Sequence, residues 1–416
     1  MFEQIYVYPA TIARHSSAPL AEERKQFLAK CANQGATRGC LRGTAQILLT
    51  ITIRLKPWKR TIFSLDEIRA AANRWAKRRP KHYSARHTRK SRAHFLHVAT
   101  QWLMALGRLH VPATPVIPGS HLVDDFEQYM RRERGLSVHT LKTQCWYATQ
   151  FVRKHYDRDQ GLRMISVLQL DQVMTELSTV DGYTRRSLRC AAEALRSFFR
   201  HAEFRGWCSP GLAATIRAPR LYEEEGLPTG PAWSDVQRVL ADTEGNDPTD
   251  VRDRAILLLF AVYGLRSSEV KGLQVGNLDW QKSLIHVPRG KQNRIQIYPL
   301  STTLGGSIRR YLKEVRPQSS YQELFLTVQA PIQPLSRAGL WHIVGRRVRK
   351  LNISTKHQGP HSLRHACATH LLAQGMSYKE IGDHLGHRSP KSTQVYAKVD
   401  IAGLREVADF DLGGLA

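Results

Sequence analysis

Between His361 and Tyr396 the chain reads HSLRHACATHLLAQGMSYKEIGDHLGHRSPKSTQVY. The stretch holds His361 and Arg364 as H-x-x-R, then His387 and Tyr396. Cationic or hydrogen-donating groups beside one phenol suit a phosphodiester, whose charge needs fixed donors and whose phosphorus needs a nucleophile. The elements that must position them are short. Leu363, Cys367 and Leu371 fall four apart, so the first part reads as a helix with one buried side. Gly375 ends it, Ser377 caps a second helix from Tyr378 to Leu385, and Gly386 closes that one. Ser389–Pro390 starts a third, with Tyr396 about two turns in. His365, His370 and His384 stand outside the pattern and read as packing or surface residues.

H-x-x-R is common in basic proteins, so the upstream residues decide. Residues 254–273, RAILLLFAVYGLRSSEVKGL, read as a buried apolar helix stopped by Gly264, then Arg266, then a helix bearing Glu269. Residues 283–299, SLIHVPRGKQNRIQIYP, alternate on both sides of a polar turn, a hairpin with Lys291 at its tip. An Arg after a G-L-R turn, a Lys on a hairpin, H-x-x-R, a second His and a Tyr, in that order, resemble the tyrosine recombinases, the phage-integrase and Xer-type family. The resemblance covers about Leu122 to Phe410.

Breaking a DNA phosphodiester requires an in-line nucleophile, neutralised non-bridging oxygens and a proton for the leaving 5′-oxygen. Tyr396 would attack to give a 3′-phosphotyrosine that keeps the bond energy for rejoining. Arg266 and Arg364 offer planar forks matched to phosphate oxygens, and His387 would add a hydrogen bond. The resemblance implies Lys291 as general acid and Glu269 as support behind the arginines. His361 is the expected acceptor of the Tyr396 proton, since an ordinary phenol with pKa near 10 stays protonated at neutral pH. No cofactor or metal is expected, because the arginines do the charge work.

The whole chain agrees with such a partner. It has 416 residues, 42% apolar, with a formal charge of +27 and a pI near 10.2, a field suited to nucleic acid. The longest apolar run, residues 255–264, is about half of what a bilayer needs, so no membrane role is expected. No secretory signal is visible and the six cysteines are scattered, which reads as a cytoplasmic, nucleoid-associated protein with reduced thiols.

Residues 1–111 form an extra basic, mostly helical segment with a DNA-binding or assembly role. The first 118 residues hold 21 Lys and Arg against 5 Asp and Glu. Ser64-x-x-Glu67 is a capping box, and Phe95, Ala99, Trp102, Leu106 and Leu109 form a helical stripe. A basic run at 77–92 suits phosphates, and three prolines make residues 111–119 a stiff linker. Residues 119–217 read as a helical core-binding (SAM-like) domain, with Lys142, Arg153, Lys154, Arg185, Arg186 and Arg189 as candidate phosphate contacts. A linker spans 218–232, and 233–416 form the catalytic domain. The fold class is therefore mainly α, with a small β-sheet or hairpin inside an α+β catalytic domain.

The function expected is a site-specific recombinase or integrase, of a mobile element, acting as a homotetramer on synapsed duplex sites with accessory or sister recombinases as further partners. A type IB topoisomerase and a non-catalytic DNA-binding accessory protein are the alternatives. The tail repeats Ile401, Leu404 and Val407 at near-helical spacing, and the resemblance implies docking into a neighbouring protomer.

Overall fold

The computed structural model describes residues 1–77, 85–110, 117–220, 230–289, 294–387 and 389–396, apart from the side chains of 77 and 85–90. The expectations for Lys291, for the tail after Tyr396 and for most of the two linkers lie outside these residues. The chain divides into two compact units, residues 1–111 with 226–416, and residues 112–225.

The N-terminal part of the first unit is a helical bundle of α1 (Phe2–Ile5), α2 (Pro9–Ser17), α3 (Ala21–Asn33), α4 (Arg38–Leu55), α5 (Leu65–Lys77) and α6 (Ala85–Ala105). The capping box before α5 is formed: Ser64 N donates to Glu67 at 2.8 Å and Glu67 N to Ser64 Oγ at 3.2 Å. Phe95, Ala99 and Trp102 are buried along α6, as their stripe requires. Helices α1–α4 are additional to the sequence reading. Thr50-Ile-Thr-Ile53 at the end of α4 has β-branched, strand-like chemistry. Thr37 caps α4, accepting from Cys40 N, and burial of Leu41, Ala45, Leu48 and Ile51 on one side outweighs that propensity. This bundle has its own core, and it meets the C-terminal part where Ile332 N donates to the Gln34 carbonyl at 3.1 Å.

The second unit contains α7 (Ser120–Arg132), α8 (Val138–His155), α9 (Val167–Thr179), α10 (Arg185–Phe204) and α11 (Leu212–Thr215). Side chains of Ser137, Ser166 and Thr184 cap α8, α9 and α10. Phe126, Phe198 and Phe199 are fully buried between helices, and the Phe126 and Phe198 rings meet edge to face at 5.5 Å.

The C-terminal part holds α12 (Trp233–Ala241), α13 (Pro248–Ala261), α14 (Ser267–Gly272), β1 (Leu278–Asp279), β2 (Leu284–Arg289), β3 (Arg294–Pro299), α15 (Thr302–Arg310), α16 (Arg337–Lys350), α17 (Pro360–Ala373), α18 (Tyr378–Leu385) and α19 (Lys391–Gln394). Helix α13 is buried from Ala255 to Ala261 on every side, so it forms the axis of the domain. The three strands form one antiparallel sheet in the order β1-β2-β3, with Ile285 opposite Tyr298 and Arg289 opposite Arg294. Among the described residues no helix is long and apolar enough to cross a membrane.

A buried ionic cluster ties α13 to α16. Arg347 pairs with Asp242 at 2.7 Å, with Asp250, and with Asp253 at 3.5 Å, while fully buried Asp253 also takes Arg252 at 2.7 Å and Arg346 at 2.8 Å. Removing one partner strands charge in the interior. Arg347→Ala is expected to lower stability by about 3–5 kcal/mol, measured as a fall in the urea midpoint of the transition that reports the C-terminal domain.

Candidate active site

The turn between α13 and α14 is built on Gly264, at φ +56°. A Cβ there would lie 2.3 Å from Leu385 Cδ2, so the closeness of α18 as well as the left-handed backbone requires glycine. Arg266 follows, and its backbone N–H donates to Glu269 at 2.7 Å while its guanidinium donates to the other carboxylate oxygen at 2.9 Å. Glu269 also receives buried Arg289 at 2.5 Å. Burial pushes the Glu269 pKa up, but Arg289 and Arg266 outweigh it and hold it below the usual value.

Four successive carbonyls at the end of α18 are each met by a different side chain. Gln296 donates to Asp383 O at 2.7 Å, Tyr298 to His384 O, Arg364 to Leu385 O at 2.9 Å, and Arg266 to Gly386 O at 3.2 Å. Arg364 also donates to Gly264 O. Burial and neighbouring Arg266 lower the Arg364 pKa to about 10, so it remains charged at neutral pH. Beneath this layer Arg289 binds Gln296 at 2.9 Å and Tyr298 Oη, and Gly386 leaves room for it, since a Cβ would stand 2.7 Å from Arg289 Cζ.

Tyr396 lies just past α19, where the helical path continues through Val395 and Tyr396 as a 3₁₀ turn, so it stands about two turns beyond Ser389–Pro390. The ring is buried against Cys367, Ala368, Ile381 and Leu385. Its Oη lies 2.8 Å from His365 Nδ1, and His365 Nε2 lies 3.0 Å from His361 Nε2. Burial raises the Tyr396 pKa to about 12 although Arg364 pulls the other way. At neutral pH only about one phenol in 10⁵ is ionised, so a preformed tyrosinate is not the resting state. Burial, then His361 and Arg364, lower His365 to about 4. Burial, then Arg364 and Arg266, do the same to His387, whose Nδ1 lies 2.7 Å from Thr393 Oγ1. Both rings are neutral at pH 7.

An open cleft of roughly 380 Å³ is lined by Arg266, Ser267, Arg337, Trp341, His361 and Arg364. The fold thus gathers Arg266, Glu269, His361, Arg364, His387 and Tyr396. His361 does not bond Tyr396 directly, because His365 stands between them. His365, read from sequence as packing or surface, is the phenol's partner, and its place one helical turn after His361 was the signal available. Arg289 was also missed. It continues the inward alternation Ile285, Val287, Arg289 of β2, which marks it as buried. His370 and His384 do pack: His370 stacks on Trp233 at 3.8 Å, and His384 Nε2 lies 3.0 Å from Val262 O. The second unit carries Lys142, Arg153, Lys154, Arg185, Arg186 and Arg189 exposed on α8 and α10. Lys154 pairs with Glu176 and Arg189 with Glu193. Among the described residues no group of three or more His, Cys, Asp or Glu is placed to hold a metal ion.

Residues 233–402 match the phage integrase family. The putative integrase/recombinase y4rA of Sinorhizobium fredii is 32% identical over 287 residues, covering 69% of this chain and 69% of the relative. Tyrosine recombinase XerD of Listeria monocytogenes is 30% identical over 291 residues, covering 69% of this chain and 96% of the relative. The Tn1549 transposon integrase, solved with transposon right-end DNA, shares the fold at a TM-score of 0.55 and 18% identity, over 69% of this chain and 99% of that one. The chain belongs to the phage integrase family, the tyrosine site-specific recombinases.

Glu269 holds two arginines in place, one of them buried. Glu269→Gln is expected to cost about 3 kcal/mol of stability at pH 7, because it leaves Arg289 without its counter-charge. Since the folded pKa is depressed, this contribution is complete above the ordinary value of 4.5 and fades as pH falls below it. Unfolding midpoints of the two proteins, compared across that range, should converge in acid.

Proposed function

We propose that this recombinase cuts and rejoins duplex DNA at specific sites through a 3′-phosphotyrosine, as the integrase of a mobile element. The observation that carries the reading is a buried, hydrogen-bonded phenol in the same site as two arginines that face an open cleft. A phosphodiester in that cleft would take the free N–H groups of Arg266 and Arg364, whose other donors are fixed on Glu269 and on backbone carbonyls. With the Thr393 hydroxyl as the donor to Nδ1, at 2.7 Å, the His387 ring proton sits on Nε2, the tautomer that donates to a phosphate oxygen. Lys291, two residues beyond Arg289, would protonate the leaving 5′-oxygen. The phenol's proton leaves toward the histidines of α17. These groups provide charge neutralisation, a nucleophile and an acid without a metal.

The exposed basic residues of α8 and α10 and the charge of residues 1–111 support DNA contact beyond the scissile phosphate. Exchange of strands between two sites needs four active centres, which favours a homotetramer on paired duplexes, with sister or accessory recombinases as further partners at the synapse. A nucleoid location follows from that substrate.

The test uses a nicked duplex carrying the sequence recovered by binding selection from a random duplex pool. The protein should form an SDS-resistant adduct on it with chelator present. Tyr396→Phe should abolish the adduct while changing DNA affinity less than about twofold, since one hydroxyl is removed from a residue that binds no resting phosphate. An adduct surviving the substitution would exclude Tyr396 as nucleophile.

Lys291→Ala should lose cleavage of the normal phosphodiester by about 10²-fold or more. A bridging 5′-phosphorothiolate, whose leaving group needs no proton, should restore most of the rate in single-turnover assays. Absence of rescue would assign Lys291 to binding alone.

A further inference from the structure

The contact between the nucleophile and α17 has a direction. Among the described residues, His365 Nδ1 is the hydrogen-bond partner of Tyr396 Oη, at 2.8 Å, and the other ring nitrogen is 3.0 Å from His361 Nε2. The three groups form one line from a buried phenol to His361, an exposed residue lining the cleft. With neutral rings, two proton arrangements satisfy both contacts. In one, His361 donates to His365 and His365 donates to the phenol oxygen, which leaves the phenol's own proton without an acceptor among the described residues. In the other, the phenol donates to Nδ1, Nε2–H donates to His361, and the His361 proton sits on Nδ1. Only the second gives the attacking oxygen a base.

We propose that His365 is a catalytic residue that takes the proton of Tyr396 during attack and passes its own Nε2 proton to His361. The proposal rests on the strand-transfer reading above. The Tyr396 Oη–phosphorus bond forms as Oη–H breaks. The proton goes to His365 Nδ1, the Nε2 proton goes to His361 Nε2, and the 5′-oxygen leaves with a proton from the opposite side. One imidazolium results, on His361, and rejoining runs the same transfers backwards.

The surroundings explain why the line is quiet without DNA. Arg364 from α17, His357 before it, Arg266 from the turn before α14, His387 after α18 and Tyr396 itself surround the two rings. Enclosure and this cationic field depress both histidines. A phosphodiester bound between Arg266 and Arg364 would offset the arginine charge and raise the basicity of the pair, so the base would strengthen when the substrate is seated.

His365→Asn separates proton transfer from orientation, because the amide oxygen replaces Nδ1 as acceptor but relays nothing. Adduct formation on the selected nicked duplex is followed in single turnover between about pH 6 and 9. His365→Asn should slow by about 10²-fold or more, and its rate should climb about tenfold per pH unit as hydroxide replaces the base, while the wild type levels off. The 5′-phosphorothiolate should not rescue it, unlike Lys291→Ala, because the defect lies on the nucleophile's side. His361→Asn leaves His365 as the phenol's base and removes only the onward acceptor, so its rate should fall less, by about tenfold, and level off with pH as the wild type does. A wild-type rate in His365→Asn, rescue by the phosphorothiolate, or a wild-type rate in His361→Asn would each overturn the relay. Failure of the wild type itself to form an adduct would overturn the strand-transfer reading instead.

Discussion

The end of α18 is the fixed point of this active site. A helix leaves its last carbonyls without partners inside the helix. From Asp383 to Gly386 these carbonyls are met in turn by Gln296, Tyr298, Arg364 and Arg266. The donors come from β3, from α17 and from the turn before α14, so one eight-residue helix sets the register of three elements that are far apart in sequence. The partial negative charge of a helix C-terminus also favours the two guanidiniums that gather there. His387 is the next residue in the chain. Its position is therefore determined by the same contacts that hold the arginines.

Electrostatics then divides the site into two kinds of group. The arginines carry the permanent charge of a guanidinium, held in place by carboxylate and carbonyl oxygens on the protein side. Burial, and after it the field of those arginines, holds the rings neutral, while burial keeps the proton on the phenol against the pull of Arg364. Such a site is charged where it holds a phosphate and uncharged where it must move protons. The contrast arises from placement and not from residue type, since His365 and Arg364 are neighbours on one helix.

Much of this was readable in the sequence where local chemistry specifies local structure. Ser377 and Glu380 form the capping box that starts α18, and Gly386 at φ +63° ends it. The hairpin strands and the buried α13 likewise follow from alternation and from an unbroken apolar run. What sequence did not disclose depends on long-range return of the chain. His365 acquires its role only when Tyr396 folds back across 31 residues to reach it. Arg289 looks like a surface cation beside a turn until Glu269, Gln296 and Tyr298 close around it. The first four helices were hidden for another reason: their apolar positions lie among many basic and β-branched residues, and the bundle's core selects the helical state.

The nucleophile's ring belongs to a small core. Tyr396 packs with Cys367, Ala368, Ile381 and Leu385, a cluster distinct from the large one around α13. A handful of side chains holds far less burial energy than the main core, so this corner opens at a lower free energy than the domain as a whole. Warming should therefore silence the enzyme before it melts, and cooling should restore it without any refolding of the domain. The chemistry thus depends on a cluster much smaller than the core that carries the domain's stability.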